Sequence, residues 1–272
     1  MNNDDLILVS IDFSAFDRSV LPVISSHAFD YVKTCFQREY HPEISRICER
    51  FQRIGIVTPT GVMSGLHGVP SGSTFTNEID SLVQFIIAKS SGVIIDTNAQ
   101  IQGDDGVYLI RRQDSEKLIK TFEDAGLKVN IDKSYESNEY CIYLQNLFHK
   151  DYVNSDGLIG GIYPTYRALG RIMYQERFVN FMDVGLEGRD YYSLRTIAIL
   201  ENCKFHPLFE ELVKFVYSKD KYLLAYSESS LRKFNRLTTD GSGTGGVINN
   251  QYGDDISGIN SFKTVEIIRN LA

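Results

Sequence analysis

The sequence has no long apolar segment and no signal for export. Its longest candidate apolar run covers residues 82–88, far short of the ~18 residues that a membrane-spanning helix needs. The N-terminus carries Asp4 and Asp5, where a secretory signal would carry basic residues. We therefore expect a cytosolic or virion-internal protein that does not bind a membrane.

Closely spaced cysteines and a surplus of positive charge are also missing. The chain has four scattered cysteines, which are Cys35, Cys48, Cys141 and Cys203, and five dispersed histidines. A zinc site or a disulfide scaffold is therefore not expected. The formal charge of −7 argues mildly against a phosphate-binding protein. Basic residues do gather at 111–133 and 204–236, either along a channel or on solvated helix faces.

Strand-like and helix-like patterns of apolar residues alternate along the chain. Residues 6–13 predict a β-strand that ends near Asp12, whose side chain faces away from the apolar stripe. Helical patterns occupy residues 25–40, 42–53, 76–91 and 115–125. Further strands are predicted at 99–110 (a hairpin around Gly103-Asp104-Asp105-Gly106), at 128–131, and at 140–152 with a turn at 154–157.

These elements predict an α+β fold. With an insert at about 21–70 set aside, their order is strand, helix, strand, strand, helix, strand. This order is that of the split βαβ, ferredoxin-like antiparallel sheet, which would place Asp12 beside Asp104. From residue 163 onward the pattern is helical. We therefore predict one domain at 1–160 and a helical one at 161–272, with a flexible Gly-rich segment at about 238–258.

Asp12 and the pair Asp104-Asp105 are the strongest candidates for chemistry. Carboxylates that converge at strand ends repel one another unless cations intervene. Mg²⁺ prefers oxygen ligands, and a pair of such ions can clamp a phosphoryl transfer. The plain alternative is a hairpin turn, since Gly-Asp-Asp also occurs at 253–255. That second copy lacks the alternating apolar flanks of the first, so we discount it.

Two further segments have weaker signals. Ser71 and Gly72 permit an unusual bend before a helix, on which Thr76 and Asp80 share one side and could bind a ribose. A helix entry rich in capping residues would look the same. Lys133 could protonate a leaving group, or it could be an ordinary surface lysine.

Taken in order, these segments resemble the conserved motifs of viral RNA-directed RNA polymerases. Residues 12–17, of the form DxxxxD, resemble motif A, and residues 71–81, which begin Ser-Gly-Ser-Thr-Phe-Thr, resemble motif B. Gly103-Asp104-Asp105 matches motif C, residues 126–133 resemble motif D, and residues 143–145 resemble motif E. The form of the motif B segment is most similar to picobirnavirus- and partitivirus-like enzymes.

The resemblance implies a polymerase right-hand palm with a partial fingers insert. The helical remainder would be the thumb, and it includes Arg167, Arg171, Glu176 and Arg177. Two Mg²⁺ or Mn²⁺ ions would be held by Asp12, Asp104 and Asp105, and Lys133 would be the general acid. Ribose and nucleotide recognition would involve Asp17, Ser71, Gly72 and Thr76, with Asn77 as a further candidate. Asp80 stands where this family usually has an asparagine, and a carboxylate, unlike an amide, only accepts hydrogen bonds.

The implied reaction is template-directed transfer of a nucleoside monophosphate to an RNA 3′-end. Its partners would be template and nascent RNA and nucleoside triphosphates, in the cytoplasm of an infected host cell or inside a virion. Because the sequence starts close to motif A, we expect the basic fingers motifs on a longer chain or on a second polypeptide. A reverse transcriptase is the first alternative, although Gly103 and Asp17 favour RNA synthesis. The others are an inactive palm and thumb fragment that only binds RNA or a partner, and a plain ferredoxin-like binding domain.

Overall fold

The computed structural model describes residues 5–95, 97–175, 179–240 and 258–271. It divides into two compact units, Met1–Lys150 and Asp151–Ala272. This division lies ten residues before the predicted domain border at 160/161. No helix in the described ranges is both long and apolar enough to cross a bilayer.

The first unit alternates strands and helices. Its strands are β1 (Leu6–Ile11), β2 (Ile56–Thr58), β3 (Gly61–Met63), β4 (Ala99–Gln102), β5 (Asp105–Arg111), β6 (Tyr135–Ser137), β7 (Tyr140–Tyr143) and β8 (Asn146–His149). Its helices are α1 (Phe16–Ser19), α2 (Pro22–Thr34), α3 (His41–Arg53), α4 (Thr76–Ser90) and α5 (Ser115–Asp124).

A four-stranded antiparallel sheet forms the centre of this unit. The strand order is β4-β5-β1-β6, and every neighbouring pair is antiparallel. With α4 before β4 and α5 before β6, this is the topology expected for a split βαβ unit. The predicted α+β class with an antiparallel sheet is therefore confirmed. The pairs β2-β3 and β7-β8 form separate hairpins.

The predicted apolar stripe of the first strand packs into the core. Ile7, Val9, Ile11 and Phe13 are all buried. They belong to one cluster with Tyr108 of β5 and with Leu118 and Phe122 of α5. Since alternate side chains of a strand point to opposite faces, burial of this set leaves Asp12 on the other side.

The strand predicted at 128–131 is wrong, and β6 is the fourth strand of the sheet. Leu127 and Val129 are buried, so the alternating pattern that suggested a strand does describe core-facing side chains. The pairing is nevertheless a single bridge between Phe13 and Val129. It ends because residues 131–133 form a 3₁₀ turn directly after Asn130.

The last hairpin of the first unit turns earlier than predicted. It turns at Leu144 and Gln145, which have φ angles of 48° and 64°, between β7 and β8. Left-handed backbone at both central positions suits the twist of a tight hairpin, but neither residue is one that normally indicates such a turn. The turn signals at 154–157 belong to a separate bridge between Val153 and Ile159.

The second unit is helical, as predicted. It contains α6 (Thr165–Met173), α7 (Gly188–Glu201), α8 (Phe209–Lys219), α9 (Glu228–Asp240) and α10 (Lys263–Leu271). Leu194, Ile197 and Leu200 of α7 are completely buried in its core. The first residues of the predicted Gly-rich segment are the end of α9. The rest of that segment up to 257, with the second Gly-Asp-Asp copy, lies outside the described residues, as do Glu176 and Arg177.

Replacing Ile7 with alanine should lower the free energy of unfolding by about 2–5 kcal/mol, because it leaves a cavity beneath the sheet. Ile7 is 0% exposed. The matched control is Ile131→Ala, since Ile131 is 75% exposed; it should change stability by less than about 0.5 kcal/mol. Urea unfolding of both variants measures the difference. Equal effects would contradict the packing described here.

Candidate active site

Pairing of β1 with β5 brings two acidic segments to one edge of the sheet. Ile11 lies opposite Gly106 in this ladder. Asp12 directly follows β1, and Asp105, which follows Asp104 of the β4–β5 turn, is the first residue of β5. The predicted proximity of Asp12 to the turn is therefore present in the structure.

The pKa values of Asp104 and Asp105 are both raised at this edge. Partial burial is the largest cause for Asp105, followed by the negative charges of Asp104 and Asp12. Asp104 still reaches solvent, yet partial desolvation and the charges of Asp17 and Asp12 raise its pKa as well. Asp104 and Asp105 thus resist ionisation, as expected for partly buried carboxyl groups close to other negative charges.

Asp12 is held in place by Asn130 and Ser134. The Asn130 side-chain amide donates to Asp12 Oδ2 at 3.0 Å, and the Asn130 backbone N–H donates to the Asp12 carbonyl at 2.8 Å. The Asp12 backbone N–H donates to Ser134 Oγ at 3.2 Å. The sequence analysis did not identify either residue, because Lys133 was the only residue of this segment with a predicted chemical role.

The turn that carries Asp104 is fastened to α4. The Gly103 N–H donates to Ser81 Oγ at 2.7 Å, and Ser81 in turn donates to the Asn77 carbonyl at 2.6 Å. The Gln84 amide donates to the Asp104 carbonyl at 3.2 Å. Gly103 adopts a φ of +63°, which favours glycine at this position. Ser81 belongs to the segment that resembles motif B, but its bond to Gly103 was not predicted, and Gln84 gave no recognisable signal in the sequence.

Asp80 lies inside this site and contacts Asp17. Its side chain is buried, with only 3% of the residue exposed. Burial raises the pKa of Asp80 to about 8, and the charges of Asp17 and Asp104 and a hydrogen bond with Asp17 contribute further. Asp80 Oδ1 has no hydrogen-bond partner among the described residues. Asp17 and Asp80, which the resemblance assigns to ribose recognition, therefore lie next to each other.

The remaining predicted residues surround an open groove or lie on the surface. A groove of about 630 Å³ is lined by Asp17, Arg18 and residues 54–57 and 67–73, which include Ser71 and Gly72. Gly72 has a φ of +93°. Thr76 Oγ1 donates to the Pro70 carbonyl at 2.8 Å, so this hydroxyl ties the loop to α4. Lys133 is exposed at the end of the 3₁₀ turn.

The donor set at the sheet edge has the chemistry of a Mg²⁺ or Mn²⁺ site. It consists of carboxylate oxygens, which these hard cations prefer. Partial burial and neighbouring negative charges raise the pKa values of Asp104 and Asp105, and a bound cation would favour the ionised form of both. Within the described part of the chain, no three His, Cys, Asp or Glu side chains already form a cluster that could hold a metal ion. The residues fit the ions by chemistry, without a preformed cage.

Known proteins with similar sequences identify the family to which these segments belong. The family model of viral RNA-dependent RNA polymerases matches residues 4–179. The chain belongs to this polymerase family. It is 33% identical over 221 residues to the potential RNA-dependent RNA polymerase of a human picobirnavirus (strain Human/Thailand/Hy005102), a match that covers 79% of this chain and 41% of the relative. It is 27% identical over 146 residues to the RNA-directed RNA polymerase of Cryptosporidium parvum virus 1, covering 49% and 28%.

Solved structures of viral polymerases have the same fold. The crystal structure of a human picobirnavirus RNA-dependent RNA polymerase matches with a TM-score of 0.80 and 31% identity, over 98% of this chain and 51% of that one. Its insertion-loop deletion mutant matches with a TM-score of 0.77 and 29% identity, over 99% and 50%. The resemblance inferred from the motifs is thus confirmed. The chain spans about half the length of these polymerases, and less than half of the two viral relatives named above.

Gly106 should not tolerate a side chain. A Cβ atom there would lie 2.6 Å from the Gln84 amide nitrogen and 2.8 Å from the Tyr108 hydroxyl, and both neighbours are fully buried. Gly106→Ala should therefore lower the free energy of unfolding by about 1–3 kcal/mol. In Gly170→Ala, the added methyl group meets nothing within 4 Å, so this control should not lower stability. Denaturant unfolding compares them, and a neutral Gly106→Ala would contradict the packing over Gln84.

Proposed function

We propose that this chain forms the palm and thumb of a viral RNA-directed RNA polymerase. The first unit would be the palm with a partial fingers insert, and the second the thumb. The reaction is template-directed addition of nucleoside monophosphates to an RNA 3′-end, with release of pyrophosphate. The supporting observation is that the motif A and motif C carboxylates lie at one sheet edge in a chain of this family.

Asp12, Asp104 and Asp105 would hold two Mg²⁺ or Mn²⁺ ions. When bound, such a pair activates the attacking 3′-hydroxyl and stabilises the charge on the triphosphate and the leaving pyrophosphate. The protein keeps the ligands ready for this role. Asn130 orients the Asp12 carboxylate, and Gln84 fixes the backbone at Asp104.

Nucleotide selection would take place between α1, the motif B loop and α4. Asp17 lines the groove together with Ser71 and Gly72, and its carboxylate would accept a hydrogen bond from a ribose hydroxyl. Thr76, Asn77 and Asp80 belong to the same recognition surface in this proposal. Lys133 is exposed, so a leaving pyrophosphate can reach it. It would act as the general acid that protonates this leaving group.

Template RNA, nascent RNA and nucleoside triphosphates would be the partners of this site. The basic residues that hold the triphosphate would come from a fingers segment, on a longer polypeptide or on a second one. We place the activity in the cytoplasm of an infected host cell or inside a virion. A palm and thumb fragment that only binds RNA or a fingers-bearing partner is the competing proposal for the chain by itself.

Asp12→Asn and Asp104→Asn should each reduce nucleotide addition by a complete polymerase at least about 1,000-fold, because each removes a charged metal ligand while keeping side-chain size. Primer extension with Mg²⁺ measures the rate, and circular dichroism checks that the variants fold. Asp254→Asn, in the second Gly-Asp-Asp copy, is the matched control and should stay active. Near-normal extension by either of the first two variants would refute the assignment.

The 272-residue chain should bind Mg²⁺ or Mn²⁺ at the sheet edge without RNA. Titration calorimetry with Mn²⁺ should show affinity at least about tenfold weaker for Asp104→Asn than for the wild type, since one charged ligand is lost. Glu123→Gln, on the exposed side of α5, changes the net charge equally and should bind as the wild type does. Equal losses in both variants would indicate nonspecific attraction of cations.

A further inference from the structure

We propose that Asp80 is a neutral carboxylic acid in the working protein and donates its proton to Asp17, so that discrimination between ribose and deoxyribose weakens in alkaline solution. The predicted effect on ribose selection rests on the proposed function. The protonation of Asp80 rests on its burial and on its position next to Asp17. Asp80 acts here through Asp17, as a positioning residue.

The contact between the two side chains requires a proton. Two ionised carboxylates have only acceptor atoms, so neither can donate a hydrogen bond to the other. The Asp80 side chain nevertheless lies within hydrogen-bonding reach of Asp17, and this interaction raises the pKa of Asp80. One of the two groups must therefore carry an O–H, as in the paired aspartates that share a proton in acid proteases.

Burial decides which group carries the proton. Asp80 is 3% exposed on the inner face of α4, and its Oδ1 has no hydrogen-bond partner among the described residues. An ionised carboxylate with an unpaired buried oxygen is costly, and protonation removes most of that cost. Asp17 is only partly buried and lines the open groove beside Arg18, where water can solvate its charge.

The charges around Asp80 favour the same assignment. Asp17 on α1 and Asp104 on the β4–β5 turn both act on it, and both are acidic. The nearest turn of its own helix adds Gln84, which is uncharged and donates to the Asp104 carbonyl. Together with burial, this surrounding keeps the pKa of Asp80 near 8, so the group is mostly protonated at neutral pH.

A protonated Asp80 would organise Asp17 for sugar recognition. The O–H of Asp80 occupies one lone pair of the Asp17 carboxylate and fixes its orientation, which leaves the other oxygen free to accept from a ribose 2′-hydroxyl. Once Asp80 ionises, the two carboxylates repel and the orientation is lost. A neutral amide at position 80 has N–H donors at all pH values, so Asp80→Asn should keep the contact without a proton.

The first experiment follows the proton in the 272-residue chain without divalent cations. A raised pKa in the folded state means that Asp80 favours folding at low pH, and that this contribution is lost progressively as pH rises from the unfolded pKa of about 3.9 through the folded pKa of about 8. The unfolding temperature of the wild type should therefore fall more steeply than that of Asp80→Asn between about pH 5 and 8, and the two curves should become parallel above that range. Asp17→Asn should flatten the wild-type slope, because it removes the repelling charge. Curves for wild type and Asp80→Asn that are parallel between about pH 5 and 8 as well would overturn the proposal.

The second experiment measures sugar selection in a complete polymerase. The ratio of kcat/KM for a nucleoside triphosphate over its deoxy form should fall about tenfold for the wild type as pH rises from 7 to 9.5, since the protonated fraction drops in that range. For Asp80→Asn the ratio should stay flat. Matching pH profiles would overturn the proposal. Absence of nucleotide addition at every pH would instead refute the proposed function, while the unfolding curves would still report on the proton.

Discussion

Negative charge concentrated at one end of the central sheet is the constraint on which the site depends. Five carboxyl groups from the end of β1, from α1, from α4, from the β4–β5 turn and from the start of β5 act on one another through their charges. They are those of Asp12, Asp17, Asp80, Asp104 and Asp105. Like charges brought together cost folding free energy, unless protons or cations compensate them. In this part of the sheet, cations and protons would compensate different carboxyl groups. Cations suit the sheet edge, and a proton suits the buried pair.

A rigid frame makes this concentration of charge possible. The antiparallel ladder sets the distance between β1 and the β4–β5 turn, because Ile11 and Gly106 are paired. Neutral side chains then hold the acidic segments through amide and hydroxyl groups, namely Asn130 at Asp12 and Gln84 at Asp104. These contacts add no charge of their own. The same carboxylates therefore stay available to ligands that bring positive charge.

Much of the fold could be predicted from the sequence, because buried alternation and helical periodicity are local signals. The stripe from Ile7 to Phe13 identified the first strand, and the Asp-Gly signal identified the central hairpin. The fourth strand was misplaced because Leu127 and Val129 alternate like a strand while making one bridge. The anchoring roles of Asn130, Ser81 and Gln84 could not be predicted, since they depend on contacts between segments distant in the chain. The family resemblance assigned Asp17 and Asp80 to ribose recognition, but nothing in the sequence predicted that their side chains lie next to each other.

RNA synthesis by this site would require Asp12, at the end of β1, and Asp104, in the β4–β5 turn, to share metal ions. The most direct measurement is anomalous X-ray scattering from a complete polymerase, stalled with RNA, a nucleoside triphosphate and Mn²⁺. We expect manganese peaks at the sheet edge, with one ion bound by both Asp12 and Asp104. Manganese bound to the triphosphate away from these two side chains would contradict the account.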